Sequence, residues 1–240
     1  SKYASIDDVL FTKDQKTLIC CASNHERNTF SIPSSVTTIE DYAFSHHDYL
    51  EEITITSSVT SIGRNPFAGC SKLGKINVDP NNSKYVSIDD VLFTKDLKTL
   101  ICCASKHERN TFSIPSSVTS IEDYAFSCCS SLTQITIPSS VTSIGNNAFS
   151  CCSSLSHITI PSYINAIETD TFFFCTSLTQ ITIPPSVKSI GNSAFFYCSS
   201  LTQIVIPPSV ISIGCTAFSH CSKLDQSLQQ QLKSRYGIYI

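Results

Sequence analysis

Apolar residues recur at fixed positions in a unit of 23 residues along most of the chain. The stretch from Leu132 to Ser154 is one such unit, and the next residue, Leu155, begins it again. One unit supplies about seven apolar side chains, too few for a core of its own but enough when units stack on one another. The pattern therefore predicts a solenoid in which each repeat forms one coil.

Polar and apolar residues alternate over 134–137, as is typical of a half-buried strand. Pro138 cannot donate to a strand ladder, so we expect the strand to end there. A second short extended piece follows at 141–144, and 145–149 is too short for an α-helix and predicts a turn or a single 3₁₀ turn. Strands that return once per coil predict a parallel sheet on one side. The Phe column, which is far from the strand in each unit, is then expected beneath the opposite, convex side.

Two coils, at about residues 3–33 and 85–115, are longer than the others. In the second, two apolar runs within Val91–Cys103 flank a polar stretch, which predicts a β-hairpin inserted into the coil. The first coil is nearly identical and predicts the same hairpin at Val9–Cys21. Residues 87–93 still match the turn segment of an ordinary coil.

The repeat pattern changes after residue 224. Leu224, Leu228 and Leu232 recur every fourth residue, and Asp225 is a suitable N-cap, so we expect a short helix that covers the last coil. This divides the chain into a solenoid, 1–224, and a C-terminal cap, 225–240. The first residues show no equivalent cap, which predicts an open N-terminal edge at which self-association is possible.

The charge distribution disfavours two classes of partner. The chain has 240 residues and a net charge of −3, and between Ser127 and Cys221 only three side chains are charged. We find no basic stripe and no aromatic platform, so nucleic acid and anionic membranes are poor candidates. No apolar run approaches the roughly 20 residues of a membrane span.

The chain has 13 cysteines, and six of them occupy one repeat column, with His47 in the equivalent place of an earlier coil. We interpret this column as a ladder of inward thiols that pack as small apolar groups. It comprises Cys70, Cys129, Cys152, Cys175, Cys198 and Cys221. A second set is expected to be partly exposed: Cys128, Cys151 and the pairs Cys20–Cys21 and Cys102–Cys103.

Motifs for catalysis or cofactor binding are weak or missing. Cys102, Cys103 and His107, with their copies Cys20, Cys21 and His25, place possible zinc ligands close together, but solvated loop residues explain them equally well. We find no G-x-S-x-G, no H-E-x-x-H and no Gly-rich phosphate loop. We therefore predict no catalytic residues, no metal ligands, no cofactor and no enzymatic activity.

The face of the predicted sheet that points away from the core is the candidate binding surface, because strand alternation places polar residues there. Its residues in the hairpin coil are Thr111 and Ser113. The ligand-binding candidates on this face are Glu52, Thr54, Lys75, Asn77, Gln134, Thr136, His157, Thr159, Gln180, Thr182, Gln203 and Val205. A repeat consensus without an evolved site would give the same residues.

The unit from Cys129 to Cys152, with the pattern C-x-x-L-x-x-I-x-I-P-x-S-V-T-S-I-G-x-x-A-F-x-x-C, resembles the repeat of the BspA-like, treponemal-type leucine-rich repeat proteins. The resemblance covers residues 1–224. It implies an α/β-type, right-handed leucine-rich repeat superhelix with a parallel β-sheet on the concave face. It also implies a cell-surface or secreted protein that adheres to host matrix or plasma proteins, and it carries over no catalytic residues.

Three hypotheses about function remain open. The first is adhesion, or protein or glycan binding, through the concave face and the hairpins. The second is an intracellular scaffold or regulator, which a ladder of reduced thiols equally permits. The third is a structural spacer within a longer surface protein.

Overall fold

The computed structural model describes residues 2–22, 27–106 and 109–238. They fall into two compact units, Ser1–His107 and Glu108–Ile240. Each unit is a stack of leucine-rich repeat coils with parallel strand ladders, as the repeat pattern predicts. Within the described residues, α1 (Gln226–Tyr236) is the only helix, so the coils themselves consist of strands and turns.

The first unit combines parallel ladders with antiparallel insertions. Its strands are β1 (Tyr3–Ile6), β2 (Val9–Thr12), β3 (Thr17–Cys21), β4 (Thr29–Ser31), β5 (Thr38–Ile39), β6 (Glu52–Ile55), β7 (Ser61–Ile62), β8 (Lys75–Val78), β9 (Tyr85–Ile88), β10 (Val91–Thr94) and β11 (Thr99–Cys103). Strands β4, β6 and β8 form one parallel ladder, and β3, β5 and β7 form another.

Both predicted hairpins are confirmed. Strand β2 pairs antiparallel with β3, with Val9 opposite Cys21, and β10 pairs with β11, with Val91 opposite Cys103. Each insertion also has a third strand, β1 or β9, that the sequence analysis missed. Residues 87–93 therefore form a second tight hairpin and not an ordinary coil turn. The cause is Asp89–Asp90, whose φ angles of 52° and 60° are those of a type I′ turn.

The second unit is more regular. Its strands are β12 (Thr111–Ser113), β13 (Ser120–Ile121), β14 (Gln134–Thr136), β15 (Ser143–Ile144), β16 (His157–Thr159), β17 (Ala166–Ile167), β18 (Gln180–Thr182), β19 (Ser189–Ile190), β20 (Gln203–Val205) and β21 (Ser212–Ile213). Strands β12, β14, β16, β18 and β20 form one parallel sheet, called the main sheet below. Strands β13 and β15, and β17, β19 and β21, form shorter parallel ladders.

The Phe column forms a continuous stack in the core of the second unit. The rings of Phe126, Phe149, Phe172, Phe195 and Phe218 stack in sequence, with centroids 5.3–5.6 Å apart. All five rings are fully buried. In the first unit, the rings of Phe44 and Phe67 also pack against each other, with centroids 5.5 Å apart, but they are tilted by 31°. The prediction of a Phe spine is confirmed, and each ring fills the space between its own coil and the next.

The turn side of a coil is the segment between its second strand and its column cysteine, such as residues 122–129, and it contains two kinds of backbone hydrogen bond. The amides of Tyr124 and Phe126 donate to Asn146 and Ala148 of the next coil, at 2.9 and 2.7 Å. The amides between them close tight turns within the coil, as Ala125 does to Glu122. In most coils without an insertion, two residues adopt a left-handed φ, and most of these residues are not glycine. These turns take the place that a helix has in longer leucine-rich repeats.

The predicted C-terminal helix is confirmed. The side chain of Asp225 accepts a hydrogen bond from the amide of Leu228 at 2.8 Å, and Gly237 ends the helix in a left-handed conformation. Leu228 and Leu232 are the buried residues of α1. The Tyr236 hydroxyl donates to the carbonyl of Val210 at 3.0 Å, so the helix is attached to the last coil by polar as well as apolar contacts.

Candidate functional site

The exposed face of the main sheet carries two rows of side chains, one residue per strand in each row. In all five strands the central residue is buried and the two flanking residues are exposed. The first row is Thr111, Gln134, His157, Gln180 and Gln203, and the second is Ser113, Thr136, Thr159, Thr182 and Val205. Parallel register places the members of a row side by side: Gln180 lies opposite His157 on one side and Gln203 on the other.

The strands form this face because of their residue order. Ile135, Ile158, Ile181 and Ile204 point into the core and are at most 7% exposed. The period of two residues in a strand then sends both neighbours of each Ile to the opposite side. Since those neighbours are Gln, His, Thr and Val, the face has hydrogen-bonding groups and no Asp, Glu, Lys or Arg.

Over the last three strands of the main sheet, this face contains a shallow, open depression with a volume of about 250 Å³. It is lined by His157, Ile158, Thr159, Gln180, Ile181, Thr182, Gln203 and Val205. Val205 is 71% exposed and gives the depression an apolar margin beside its amide and hydroxyl groups. His157 is held in place by a contact of 2.9 Å between its Nδ1 and the hydroxyl of Ser156.

The candidate residues of the first unit lie in a different environment. Glu52 binds two neighbours on the next strand, the Lys75 ammonium at 3.4 Å and the Asn77 amide, which donates to the same carboxylate oxygen. Thr54 lies beside Asn77 in the same ladder and is half-buried. These four residues are therefore brought together, but their polar groups are largely engaged with one another. A ligand would have to displace those contacts, whereas the rows of the main sheet are more accessible.

The ladder of inward thiols is confirmed, and it has a feature that the sequence did not reveal. All six column cysteines are at most 2% exposed. Five of the thiols donate to the backbone carbonyl of the Phe 26 residues earlier, at 2.8–3.2 Å. Burial raises the pKa of the Cys70 and Cys221 thiols to about 12, and raises the pKa of Cys175 well above its usual range. These thiols therefore stay protonated and act as structural donors.

The second set of cysteines is only partly as expected. Cys128, Cys151 and Cys103 are half-buried and Cys20 is exposed. Cys21 and Cys102 are buried, contrary to the expectation, and both pack in the core of the first unit. They are not equivalent positions of the two hairpins, since Cys21 lies opposite Val9 and Cys102 opposite Leu92. The possible zinc ligands His25 and His107 lie outside the described residues. Within those residues, no group of three or more His, Cys, Asp or Glu is arranged to hold a metal ion.

An aromatic cluster that the sequence analysis did not predict lies on the turn side of the second unit. Phe174 stacks on Tyr197 at 4.7 Å and Phe173 on Phe196 at 5.2 Å, and His220 contacts both Tyr197 and Phe196. The adjacent pairs Phe173–Phe174 and Phe196–Tyr197, 23 residues apart, were the available signal in the sequence. The stacked faces largely cover one another, and no basic stripe accompanies them.

The part of the chain that the structure describes contains no helix with both the length and the apolar character needed to cross a membrane. The family description of the BspA type leucine rich repeat region matches residues 20–107 and 100–225, in six copies. Among curated proteins, no sequence matches the chain.

Solved structures of bacterial leucine-rich repeat proteins are similar to this chain. A leucine rich cell surface protein from Faecalibacterium prausnitzii is 36% identical over 85% of the chain, with a TM-score of 0.78. The chain spans 55% of that protein's length. The pneumococcal vaccine antigen PcpA is 21% identical over 89% of the chain and 66% of its own, with a TM-score of 0.72. A leucine-rich repeat protein of T. pallidum is 23% identical over 97% of this chain and 91% of its own, with a TM-score of 0.52. The last two matches show the fold alone.

Together, the repeat family and these neighbours support a repeat protein for protein–protein interaction. Both the family and the fold are typical of binding scaffolds without enzymatic activity.

Proposed function

Since the chain belongs to the BspA-type leucine-rich repeat family, we propose that it is a cell-surface binding module whose protein ligand contacts the exposed face of the main sheet. The observation that carries this proposal is the pair of exposed rows with the depression between Gln180, Thr182 and Val205. Five strands about 4.8 Å apart offer amide, imidazole and hydroxyl groups in a regular array. Such a surface recognises a ligand through many hydrogen bonds around a small apolar contact.

The absence of charged side chains from the two rows favours a particular class of ligand. Because neither row contains a charged residue, binding is expected to depend little on ionic strength, unlike binding steered by charge. An extended or loop segment of a protein, rich in polar groups and with one apolar side chain against Val205, fits this chemistry. A glycan, the alternative ligand, would use the amides and hydroxyls in a similar way but would leave Val205 without an apolar partner.

The biological role that we propose is adhesion, with host matrix or plasma proteins as the ligands. The similar protein of F. prausnitzii is described as a cell surface protein and PcpA as a vaccine antigen. We assign no catalytic role to any residue of the chain. The Nδ1 of His157 contacts the hydroxyl of Ser156 at 2.9 Å, but among the described residues no carboxylate accompanies this pair to orient the imidazole.

The experiment that tests this proposal is a binding screen against extracellular-matrix proteins, plasma proteins and glycans. The native chain is compared with a face variant that combines Gln134→Arg, Gln180→Arg and Gln203→Arg. The matched control combines Ser130→Arg, Thr142→Arg and Ser222→Arg, which add the same charge at exposed positions away from the main sheet.

We expect at least one protein to bind the native chain and the control, but not the face variant. Equal binding by the two variants would overturn the assignment of the ligand to the main sheet. Binding of glycans alone would replace the protein ligand by a carbohydrate. If no member of the screen binds, adhesion loses its support in favour of a scaffold or a structural spacer.

A further inference from the structure

One surface column on the turn side of the second unit consists of residues that all adopt a left-handed backbone conformation. It comprises Cys128, Cys151, Phe174, Tyr197 and His220, with φ between 57° and 64°. Because successive members share one conformation, their side chains stand beside one another. The aromatic members show the spacing directly: ring centroids are 4.7 Å apart for Phe174 and Tyr197, and 4.8 Å apart for Tyr197 and His220.

The first two members of this column place two thiols in contact across neighbouring coils. The amide of Cys128 donates to the carbonyl of Ser150 at 2.8 Å, and that of Cys151 donates to Phe173 at 2.7 Å, so the coils are in register at this point. The side chains of Cys128 and Cys151 interact with each other, and both residues are half-buried. Each thiol also has a seryl hydroxyl 3.7 Å away, that of Ser127 or Ser150.

The neighbouring cysteines in the sequence provide a contrast. Cys129 and Cys152 are also 23 residues apart on the same two coils, but both are at most 2% exposed. The thiol of Cys152 donates to the carbonyl of Phe126 at 3.0 Å and is held in that orientation. A bond between sulfur atoms in the buried column would break such contacts. One between Cys128 and Cys151 would replace a contact between two thiols and alter the longer contacts, of 3.7 Å, with the Ser127 and Ser150 hydroxyls.

We propose that Cys128 and Cys151 are a modification site at which a small-molecule disulfide introduces a reversible disulfide bond across two coils. Coils in register, about 4.8 Å apart, place the Cα atoms within the range of 4.4–6.8 Å that disulfides require. Formation of the bond also requires the Cβ atoms to approach to about 3.5–4.5 Å, so the proposal includes a small adjustment of the two turns and rotation about the Cα–Cβ bonds.

The reaction balances with one equivalent of the small disulfide, RSSR. The Cys128 thiolate attacks one sulfur atom of RSSR, forms a mixed disulfide and expels RS⁻, which takes up a proton to become RSH. Cys151 then attacks the Cys128 sulfur and expels the second RS⁻, which is also protonated. The two protein thiols are oxidised by two electrons in total, and RSSR is reduced to two RSH. The contact with Cys128, together with burial, raises the pKa of Cys151 above its usual range, so the exchange is slower than at an exposed thiol.

The test is incubation of the folded chain with oxidised glutathione, followed by acid quenching, alkylation of the remaining thiols in denaturant, and peptide mapping by mass spectrometry without reduction. We expect one intramolecular cross-link between the segments that contain Cys128 and Cys151, with the loss of two hydrogens. The exposed Cys20 and Cys215 report that the oxidant is active, because they should take up glutathione.

Variants identify which sulfur atoms form the bond. The variant Cys128→Ser should abolish the cross-link, whereas Cys152→Ser, which changes the adjacent buried thiol and retains a donor, should leave it in place. Oxidation should also raise the thermal midpoint of the native chain and of Cys152→Ser but not of Cys128→Ser. Free thiols or only mixed disulfides at 128 and 151, at a stage when Cys20 and Cys215 have reacted, would overturn the proposal. A cross-link that persists in Cys128→Ser would also overturn it.

Discussion

The thiol of Cys175 donates a hydrogen bond to the backbone carbonyl of Phe149 at 3.1 Å, across the boundary between two coils. The Phe149 ring stacks on Phe172 of the next coil at 5.6 Å, so one pair of coils is joined by a polar and an aromatic contact. Four further column thiols make the same bond to a Phe carbonyl. Cysteine suits this position because it packs as a small apolar group and still satisfies a buried acceptor.

Replacement of Cys175 by valine should therefore destabilise the chain more than replacement by serine. Valine fills a similar volume but removes one of the two hydrogen bonds that the Phe149 carbonyl accepts, the other being from the amide of Cys152 at 3.3 Å. The loss of one such bond costs about 0.5–1.5 kcal/mol of the free energy of unfolding. Serine keeps a hydroxyl donor and should lose less. Urea denaturation of both variants measures the difference. A valine variant as stable as the native chain would show that the bond contributes nothing.

Stability should fall in alkaline solution, because burial raises the pKa of the column thiols. The pKa of Cys70 and Cys221 rises from the ordinary 9.0 to about 12, and that of Cys21 to about 11. Above pH 9 the unfolded chain loses thiol protons that the folded chain retains, so the folded state binds more protons and stability decreases as pH rises. Each such thiol contributes about 1.4 kcal/mol per pH unit in that range.

The measurement is the free energy of unfolding in a reducing buffer at several values between pH 7.5 and pH 10.5. The double variant Cys152→Ser/Cys175→Ser should show a shallower decline above pH 9, because it has two fewer buried thiols to ionise on unfolding. A flat profile for the native chain over this range would contradict the prediction.

Gly145 should not tolerate a methyl group. A Cβ atom at this position would lie 2.5 Å from the backbone nitrogen of Asp123 on the preceding coil, where the Asp123 carboxylate accepts a bond from the amide of Asn146 at 2.7 Å. Gly145→Ala must push these coils apart, and we expect a loss of about 1–3 kcal/mol in the free energy of unfolding. Gly74→Ala is the control, since its Cβ would have no neighbour closer than 3.8 Å. Equal stability of the two variants, measured by thermal denaturation, would refute this explanation.

The turn between β10 and β11 contains a residue whose side chain is poorly suited to its backbone conformation. Leu97 adopts a φ of 55°, a left-handed conformation that costs most side chains about 1–2 kcal/mol. Asparagine tolerates this conformation better, so Leu97→Asn should raise the thermal midpoint of the chain. Lys98→Asn, one residue later, lacks this strain and should give no gain. A lower midpoint for Leu97→Asn would mean that packing of the half-buried leucine outweighs the backbone strain.

Structural features that recur in every coil could be predicted from the sequence. The alternation of polar and apolar residues around Ile135, Ile158 and Ile181 predicted the strands of the main sheet, because this alternation is typical of a strand with one buried face. The Phe spine and the inward cysteines followed from the same columns. Pro138 correctly marked the end of a strand, since β14 stops two residues before it.

Features that depend on one residue's conformation, or on contacts between coils, could not be predicted. Asp89–Asp90 makes a type I′ turn without the glycine that usually signals one, so strand β9 was missed. Cys128 and Phe174 adopt left-handed conformations that their residue types do not suggest. The accessibility of a candidate residue could not be predicted either. Glu52 and Gln180 occupy equivalent places, but Glu52 is half-buried and bound by the Lys75 ammonium, whereas Gln180 is exposed.

The most direct test of ligand binding by the main sheet is the affinity of a variant with a single substitution in the depression of that sheet. Once a protein ligand is identified, Gln180→Arg should weaken binding at least about tenfold, because it places a long, charged side chain in the depression. Thr142→Arg, which adds the same charge at an exposed position outside this sheet, should bind within about twofold of the native chain. Unchanged affinity for Gln180→Arg, in a variant that unfolds at the native temperature, would contradict the assignment.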